Sequence, residues 1–467
     1  MKKVGVICLI ICLLLCLYPV SAADLNEDAS VTSGCNTLDG CVPVLGRHQI
    51  VKNAAAVLLY ETNTDTLMYA YNADDKIPPA SLSKILTALI AIEKGDMNDA
   101  VAVRADVLST VSPGAAVSGL IAGEVLTVRD LLYCMMVASG NDAAAVLAEH
   151  VMGSQKAFVD EMNRDAVELG CTGTNFTNVH GLHNKNQYTT ARDVGRFLAK
   201  AIQNEQFREV FGAKYYAVPA TNKSDIRHLY TQNYLLNSNI TDDYYDTRVT
   251  GSRTGVANDM TRNIASTAKV GEMNLLCVVM GSKSDYDDKG NIKKVGGYEE
   301  SRMLLDSGFN GYKAVQILHP NQVLLQSSVV GGSSDVSIGT ADAAFAVIPY
   351  DVDADDLVYR YVNEKSLTAP IEKGEILSTV QVWCGSLCIA QEELYALNKV
   401  EIPQAPQEKE PIAVQTTDFW TVFLYVLGAL LVIALLGFIV MTVLRATKIA
   451  KAKKQSRRNS RNRRRSR

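Results

Sequence analysis

The sequence predicts an α+β protein: an antiparallel sheet covered by helices, then a small all-β domain and one C-terminal transmembrane helix. Strand-like runs at 54–60 and 66–71 precede a helical region, and further strand-like runs at 247–256, 263–269 and 275–280 follow it. Strands on both sides of a helical region favour an antiparallel sheet over alternating βαβ units.

Helix signals fill the middle of the first domain, which we expect to span residues 49–312. Apolar residues recur with helical spacing over 82–92, and Gly95 follows as a stop signal. Thr127 and Asp130 have the spacing of a capping box and open another apolar helix. These helices are expected to cover the sheet.

The residue pattern changes after the first domain. Short strand-like runs separated by Gly, Asp and Pro occupy residues 313–401 and predict a β-sandwich-like domain. Residues 402–418 contain Pro403 and Pro406 among charged side chains, a composition typical of a stiff linker. We interpret the β domain as a spacer, with partner docking as the alternative.

The first 22 residues have the features of an export signal. Lys2 and Lys3 precede an apolar run over 4–17, and small residues before Ala23 suit cleavage. The alternative is an uncleaved membrane anchor, but the apolar run is short for a complete span. Residues 23–48 are polar and lack periodicity, so we interpret them as an N-terminal lead.

The C-terminal end predicts a single membrane span. Residues 419–444 are 26 consecutive uncharged positions, which is long enough to cross a bilayer. Residues 445–467 hold twelve Lys or Arg and no acid, so this tail is expected in the cytoplasm and the preceding domains outside the cell. A buried core helix beside a disordered tail is the alternative. Attraction to anionic lipid headgroups accounts for the basic tail more simply than nucleic acid does.

Charge and cysteine content limit the function classes. Without the tail's twelve basic residues and the leader's two, the formal net charge changes from −4 to −18, which argues against nucleic-acid binding. Cys35 with Cys41, and Cys384 with Cys388, are close pairs that could form disulfides outside the cell. Three other cysteines lie in apolar surroundings and are expected to be buried thiols: Cys134, Cys171 and Cys277. No Cys/His spacing resembles a zinc site, so we predict neither a metal nor a cofactor.

The first chemical motif is Ser81-Leu82-Ser83-Lys84. Residues three apart share a helix face, so Ser81 at the first turn would hold its hydroxyl beside the Lys84 amine. A serine hydroxyl needs a neighbouring base to become a nucleophile, and a lysine amine serves only if its pKa is lowered. Taken alone, the motif is more typical of a surface helix start than of a catalytic site.

The second motif is Ser139-Gly140-Asn141, between two apolar helices. A loop there could project the Ser139 hydroxyl and the Asn141 amide into a cleft. In that position Ser139 could relay protons to a leaving amine, and Asn141 could hydrogen-bond a substrate amide and Lys84. Taken alone, the tripeptide is an ordinary capping turn.

The third motif is Arg253-Thr254-Gly255, on the strand that begins near residue 247. A cation and a hydroxyl at a strand edge can bind a terminal carboxylate, and arginine does so bidentately. Gly255 would let a substrate backbone approach closely, and the strand edge can pair with an extended peptide.

The three motifs together indicate one catalytic site, although none does so alone, because they occur in order with separations of 58 and 114 residues. On these residues the chain resembles the active-site-serine penicillin-recognising family, and more closely the low-molecular-mass D-alanyl-D-alanine carboxypeptidases. Four further segments resemble parts of that group: 79–88, 137–144, 178–182 and 188–193. The resemblance implies a β-lactamase/transpeptidase-like fold, peptidoglycan stem peptides as substrates and β-lactam antibiotics as inhibitors.

The resemblance also implies residue roles. Ser81 would be the acylated nucleophile, Lys84 its general base, and Ser139 with Asn141 would assist proton transfer and substrate binding. Arg253 and Thr254 would hold the terminal carboxylate beside Gly255. The backbone N–H groups of Ser81 and Val256 would form the oxyanion hole.

The chain departs from the group at three places. Arg253 stands where the group normally has lysine, which keeps the charge but adds bulk. Residues 256–261 differ from the usual segment, and Gln187 replaces a commonly seen histidine. These departures bear on rate and substrate preference more than on fold.

Several functions therefore compete. The leading one is a carboxypeptidase that removes the terminal D-Ala of stem peptides through an acyl-enzyme on Ser81. A D,D-endopeptidase and a β-lactamase are enzymatic alternatives, and the β domain and anchor disfavour the latter. A non-catalytic peptidoglycan-binding or sensor module is the alternative from another class, motivated by Arg253 and the altered segment after it.

Overall fold

The structure, a computed structural model, falls into two units, which are described separately: Met1–Ile402 and Pro403–Arg467. It describes these residues: 38, 44–45, 50–257, 260–362, 366–403 and 418–462. The predicted export signal, the Cys35–Cys41 pair and most of the N-terminal lead and linker lie outside the described residues.

The first domain has strands on both sides of a mainly helical region, and these strands build one large sheet. Its first half contains β1 (Ala56–Glu61), β2 (Thr66–Tyr71), a 3₁₀ turn (Ala80–Leu82), α1 (Ser83–Lys94), β3 (Ala100–Ala102), α2 (Ala105–Leu108), β4 (Val125–Thr127), α3 (Val128–Met136), α4 (Asn141–Met152) and α5 (Gln155–Glu168). Its second half contains α6 (Ala191–Ala201), α7 (Glu205–Phe211), β5 (Tyr215–Val218), β6 (Arg227–Tyr230), β7 (Val249–Val256), β8 (Arg262–Val270), β9 (Met273–Ser282), β10 (Asp285–Tyr286), β11 (Ile292–Lys294) and α8 (Tyr298–Gly311).

The main sheet is antiparallel, with the strand order β2-β1-β9-β8-β7. The first strand pairs with β9, more than two hundred residues later, so the two ends of the domain close the sheet together. Side chains alternate between the faces: Leu58 packs with the helical layer that includes α1 and α6, whereas Leu59 packs with α8. The predicted fold class is confirmed: an antiparallel sheet covered by helices.

The β domain begins without a loop where α8 ends. Its strands are β12 (Tyr312–Leu318), β13 (Val323–Ser327), β14 (Val336–Gly339), β15 (Ala344–Pro349), β16 (Val358–Val362), β17 (Ile376–Cys384) and β18 (Leu387–Ala396). The pair β12–β15 and the five-stranded sheet β13-β14-β18-β17-β16 enclose an apolar core of their own. Val347 on β15 packs into the core beneath α8, which joins this domain to the first.

The C-terminal unit contains one long helix, α9 (Phe419–Asn462). Its segment Phe419–Gln455 is long and apolar enough to cross a membrane. The helix continues past residue 444, where the apolar run ends, because the Ala, Lys and Arg residues that follow are strong helix formers.

Three buried cysteines follow the expected burial, and the disulfide that Cys384 and Cys388 could have formed with each other is absent. Three are buried in apolar cores: Cys134, Cys171 and Cys277. In the β17–β18 hairpin Cys384 lies opposite Leu387 and Cys388 opposite Trp383. Residues directly opposite share a sheet face and successive residues alternate, so the two cysteines point to opposite faces. A disulfide needs side chains that point towards each other.

We expect no disulfide between Cys384 and Cys388 after export into an oxidising compartment, because their side chains cannot meet without breaking the hairpin. Alkylating the denatured, unreduced protein with iodoacetamide and mapping its peptides should recover no peptide that joins the two. Recovery of a peptide in which these two cysteines are joined would contradict the hairpin register.

Candidate active site

Ser81 lies in the 3₁₀ turn that leads directly into α1. The preceding residue, Ala80, has a φ of 49°, a left-handed conformation that an L-residue adopts at some energetic cost. Ser81 is only partly buried, whereas Leu82 and the first turn of α1 are buried. The strained turn therefore holds a hydroxyl at the surface of a rigid, packed helix start.

Contacts from distant strands fix this turn. The buried Asn263 side chain on β8 donates to the carbonyl oxygens of Pro78 and Pro79, at 2.8 and 3.1 Å. Gly255 on β7 passes so close that a Cβ there would lie 2.5 Å from the Ser81 nitrogen. Glycine is therefore required at position 255 by the nucleophile segment itself, before any substrate is considered.

Lys84 is fully buried beneath Ser81. Its Nζ donates to Ser81 Oγ at 3.3 Å, to the His180 carbonyl oxygen at 2.7 Å and to Asn141 Oδ1. Burial lowers the pKa of Lys84 well below its usual value of 10.5, the charge of Arg253 lowers it further, and Asp142 acts in the opposite direction. The predicted helical proximity of Ser81 and Lys84 is present, with an amine that can act as a base.

Gln187 holds the loop that carries His180. In the group that this chain resembles, a histidine is common at this position. The buried Gln187 Oε1 accepts from the backbone nitrogens of Thr177 and Asn178, at 2.9 and 3.0 Å. Burial, and then the charge of Lys84, lower the pKa of the His180 imidazole to about 4, so this ring is neutral near pH 7. Because Gln187 binds the loop backbone at Thr177 and Asn178, it supports the nearby His180 carbonyl, which accepts from the Lys84 amine.

The second motif forms a strained turn between α3 and α4. Ser139 has a φ of 62°, and its Oγ lies 3.4 Å from Ser81 Oγ. Asn141 is the first residue of α4 and is buried. The neighbouring Asp142 carboxylate accepts from the Ser118 and Leu120 backbone nitrogens, which ties the turn to the preceding loop.

Arg253 is buried and reaches into the same cluster. Its Nη2 donates to Ser139 Oγ at 2.7 Å, its Nη1 to the Met136 carbonyl at 2.7 Å and its Nε to the Ser81 carbonyl at 3.3 Å. Burial lowers the pKa of Arg253 to about 10, so the group keeps its charge at neutral pH. The guanidinium therefore lies among the reactive groups, with each nitrogen bonded to a protein acceptor.

The last two residues of the third motif lie along the outer strand. Thr254 is partly exposed on β7, and Val256 is exposed at its end, where it pairs with Arg262 of β8. Because β7 is the edge strand of the sheet, its outer backbone groups have no neighbouring strand among the residues that the structure describes. An extended peptide could therefore pair with this edge beside Ser81.

The structure brings all the sequence-predicted site residues to one place, and it adds two residues to which the sequence analysis assigned no role at the site, Asn263 and Gln187. Asn263 and Gln187 act on the site only through backbone atoms of distant segments. Neither residue belongs to a recognisable spacing pattern. For Gln187, the only indication in the sequence was that it differs from the histidine common in the group that this chain resembles.

Two family profiles match the chain. The profile described as D-alanyl-D-alanine carboxypeptidase matches residues 46–284, about half of the chain. The profile described as penicillin-binding protein 5, C-terminal domain, matches residues 312–402, the region of the β domain.

Similar proteins agree with these profiles. The D-alanyl-D-alanine carboxypeptidase DacC of Escherichia coli is 31% identical over 75% of this chain and 84% of its own length. The D-alanyl-D-alanine carboxypeptidase DacF of Bacillus subtilis is 27% identical over 71% of this chain and 82% of its own length. Among solved structures, penicillin-binding protein 5 from Haemophilus influenzae aligns with a TM-score of 0.64 and 28% identity, covering 75% of this chain and 98% of the other.

We expect acylation of Ser81 by a fluorescent penicillin to accelerate with rising pH and to reach half its plateau well below pH 10.5. The reason is that Lys84, as the expected base, must be neutral to accept a proton, and its pKa is lowered. Arg253→Gln removes a repelling charge, so it should raise the pKa of Lys84 and move the midpoint to higher pH. Stopped-flow labelling rates across pH measure both midpoints.

The matched control for this profile is Arg253→Lys, which keeps a positive charge and should leave the midpoint nearer the wild-type value. If Arg253→Gln and the wild-type protein had the same midpoint, the electrostatic coupling between Arg253 and Lys84 would be disproved.

Proposed function

Since this chain belongs to the D-alanyl-D-alanine carboxypeptidase family and is a serine-type D-Ala-D-Ala carboxypeptidase, we propose that Ser81 is its acylated nucleophile. The observation that carries the proposal is the contact of Ser81 Oγ with a buried amine whose pKa is lowered. A nucleophilic serine requires a base within hydrogen-bond reach, and Lys84 is at 3.3 Å.

In the acylation step, Ser81 Oγ attacks the carbonyl carbon of the penultimate D-Ala while its proton passes to the neutral Lys84 Nζ. The tetrahedral intermediate carries a negative oxygen, which the backbone N–H groups of Ser81 and Val256 would stabilise. Arg253 places a positive charge beside these groups, which favours the developing negative charge.

Collapse of the intermediate breaks the C–N bond and requires a proton for the leaving amine. Ser139 Oγ lies 3.4 Å from Ser81 Oγ and would pass this proton from the protonated Lys84 to the nitrogen of the departing D-Ala. This transfer restores both the Ser139 hydroxyl and a neutral Lys84. Asn141 binds Lys84 through its Oδ1, which leaves its Nδ2 as a donor to the substrate amide. Water then attacks the acyl-enzyme, with Lys84 as the base, and restores the Ser81 hydroxyl.

The substrate would lie along the edge of β7 as an extended peptide. Gly255 keeps the strand against Ser81, and Thr254 presents a partly exposed hydroxyl next to it. This arrangement supports peptidoglycan stem peptides as substrates, and β-lactam antibiotics as inhibitors that acylate Ser81.

The apolar C-terminal helix is consistent with membrane anchoring. We further propose a single membrane span, with the catalytic and β domains on the outer face and the basic tail inside. The excess of Lys and Arg after the apolar run supports this orientation.

Ser81→Ala should abolish both D-Ala release and covalent labelling by fluorescent penicillin, because it removes the hydroxyl that contacts Lys84 at the start of the helix. Ser83→Ala, in the same motif, is the matched control: its hydroxyl bonds to the Ala80 carbonyl inside the fold. The control should lose about 1 kcal/mol of stability and keep its label. Labelling that survives Ser81→Ala would refute the assignment of Ser81 as the nucleophile.

An exported chain that ends at Ile402 should be found in the soluble fraction, with kcat/KM for D-Ala release unchanged, because the compact unit ends there. The full chain should remain in the membrane pellet after alkaline carbonate extraction. A chain that lacks only residues 456–467 keeps the apolar helix and should also pellet. Extraction of the full chain by carbonate would exclude a spanning anchor.

A further inference from the structure

Arg253 is a poor candidate for the residue that grips the substrate carboxylate. Its side chain is buried, and each of its three nitrogens donates to a protein acceptor. To form a two-pronged contact with a ligand carboxylate, it would have to leave Ser139 or the Met136 carbonyl. A carboxylate-binding cation is therefore expected elsewhere on the rim of the site.

Arg262 stands at that rim. It is the first residue of β8 and lies opposite Val256 at the end of β7. Paired residues share a sheet face and every second residue returns to it, so Arg262, Val256 and Thr254 lie on one face. The Arg262 Nη1 lies 3.5 Å from the Thr254 hydroxyl oxygen, and both residues are partly exposed.

The neighbourhood holds the Arg262 guanidinium in place. Its central carbon lies 5.3 Å from the ring centre of Tyr298, an arrangement in which an aromatic face stabilises a cation. Gly297, with a φ of 87°, leaves room for the stem: a Cβ there would lie 3.4 Å from Arg262 Cδ and 3.0 Å from Ile264 Cδ1. The group is therefore pre-oriented beside Thr254.

Among the described residues, one donor of this guanidinium has no protein partner. The buried Nε of Arg262 has no hydrogen-bond partner within the described part of the chain. Buried polar groups are normally paired, so an orphan at the edge of a binding site favours an acceptor that arrives with the ligand. A carboxylate suits such a group, because its two oxygens match the planar fork of arginine.

The distances fit a terminal carboxylate. A Cβ on Gly255 would meet the Ser81 nitrogen at 2.5 Å, so β7 touches the nucleophile at this residue. Thr254 is one strand residue away, about 3.3 Å along the chain. In a D-Ala-D-Ala peptide the terminal carboxylate also follows the scissile carbonyl by one residue. A peptide on the β7 edge would thus bring its carboxylate to the Thr254–Arg262 pair.

We propose that Arg262, with Thr254, binds the terminal carboxylate of the substrate and sets the preference for a free C-terminus. Arg253 serves instead as the buried charge beside Ser139 and Lys84. The inference rests on the proposed function, since it assumes acylation of Ser81 by a D-Ala-D-Ala peptide.

The test compares ligands with and without a carboxylate. For a D-Ala-D-Ala peptide, Arg262→Gln should lower kcat/KM by about 10- to 100-fold, mainly through KM, as expected for the loss of a charged hydrogen-bonded pair. Ser81 acylation by benzylpenicillin should fall by a similar factor. Acylation by benzylpenicillin methyl ester, which lacks the carboxylate, should change less than about threefold. Arg262→Lys keeps the charge without the fork and should fall between.

Arg360→Gln is the matched control, because Arg360 also stacks over an aromatic ring, that of Trp383 in the β domain, at 4.4 Å. It should leave both rates unchanged. Equal losses on the acid and the ester, or no loss on either, would overturn the role of Arg262. Failure of the wild-type protein to release D-Ala would instead overturn the proposed function, and the inference would fall with it.

Discussion

The site depends on one interaction: a lysine amine removed from water and held against a serine hydroxyl. Burying a charged amine is costly, so its environment shifts the equilibrium towards the neutral form. The structure adds a second cation, Arg253, near Lys84, which increases this shift. The acceptors that hold the amine come from Ser81, Asn141 and the His180 carbonyl, in three separate segments. Any fold that contains this arrangement must bring those segments together before the chemistry can exist.

The antiparallel sheet meets that requirement. The pairing of β1 with β9 closes the domain around α1, and Asn263 on β8 binds the backbone just before the nucleophile. Left-handed backbone at Ala80 and Ser139 places both serines of the site on strained turns, each at a cost of about 1–3 kcal/mol. Packing of the surrounding helices and strands offsets this strain. The strain therefore coincides with the two hydroxyls that lie 3.4 Å apart.

A contact could be predicted from the sequence only where its residues are close together in the chain. The Ser81–Lys84 contact follows from helical spacing, and the capping box at Thr127 is present as predicted. Asn263 and Gln187 could not be chosen, because their partners are set by the fold: 185 residues separate Asn263 from Pro78. The Cys384–Cys388 pair shows the limit of spacing as a signal. Short spacing left a bond possible, but strand alternation, which spacing alone does not reveal, turns the two side chains apart.

The replacement of lysine by Arg253 illustrates why a charge cannot be assigned a role from residue type alone. A guanidinium is planar and offers donors in fixed directions, so its function depends on which acceptors surround it. At Arg253 these acceptors are protein oxygens, and the side chain is buried. One cation cannot both saturate its donors inside the protein and offer them to a ligand. A site that needs a buried charge to lower the pKa of Lys84 and an accessible charge to bind a carboxylate therefore requires two, and Arg262 is placed to be the second.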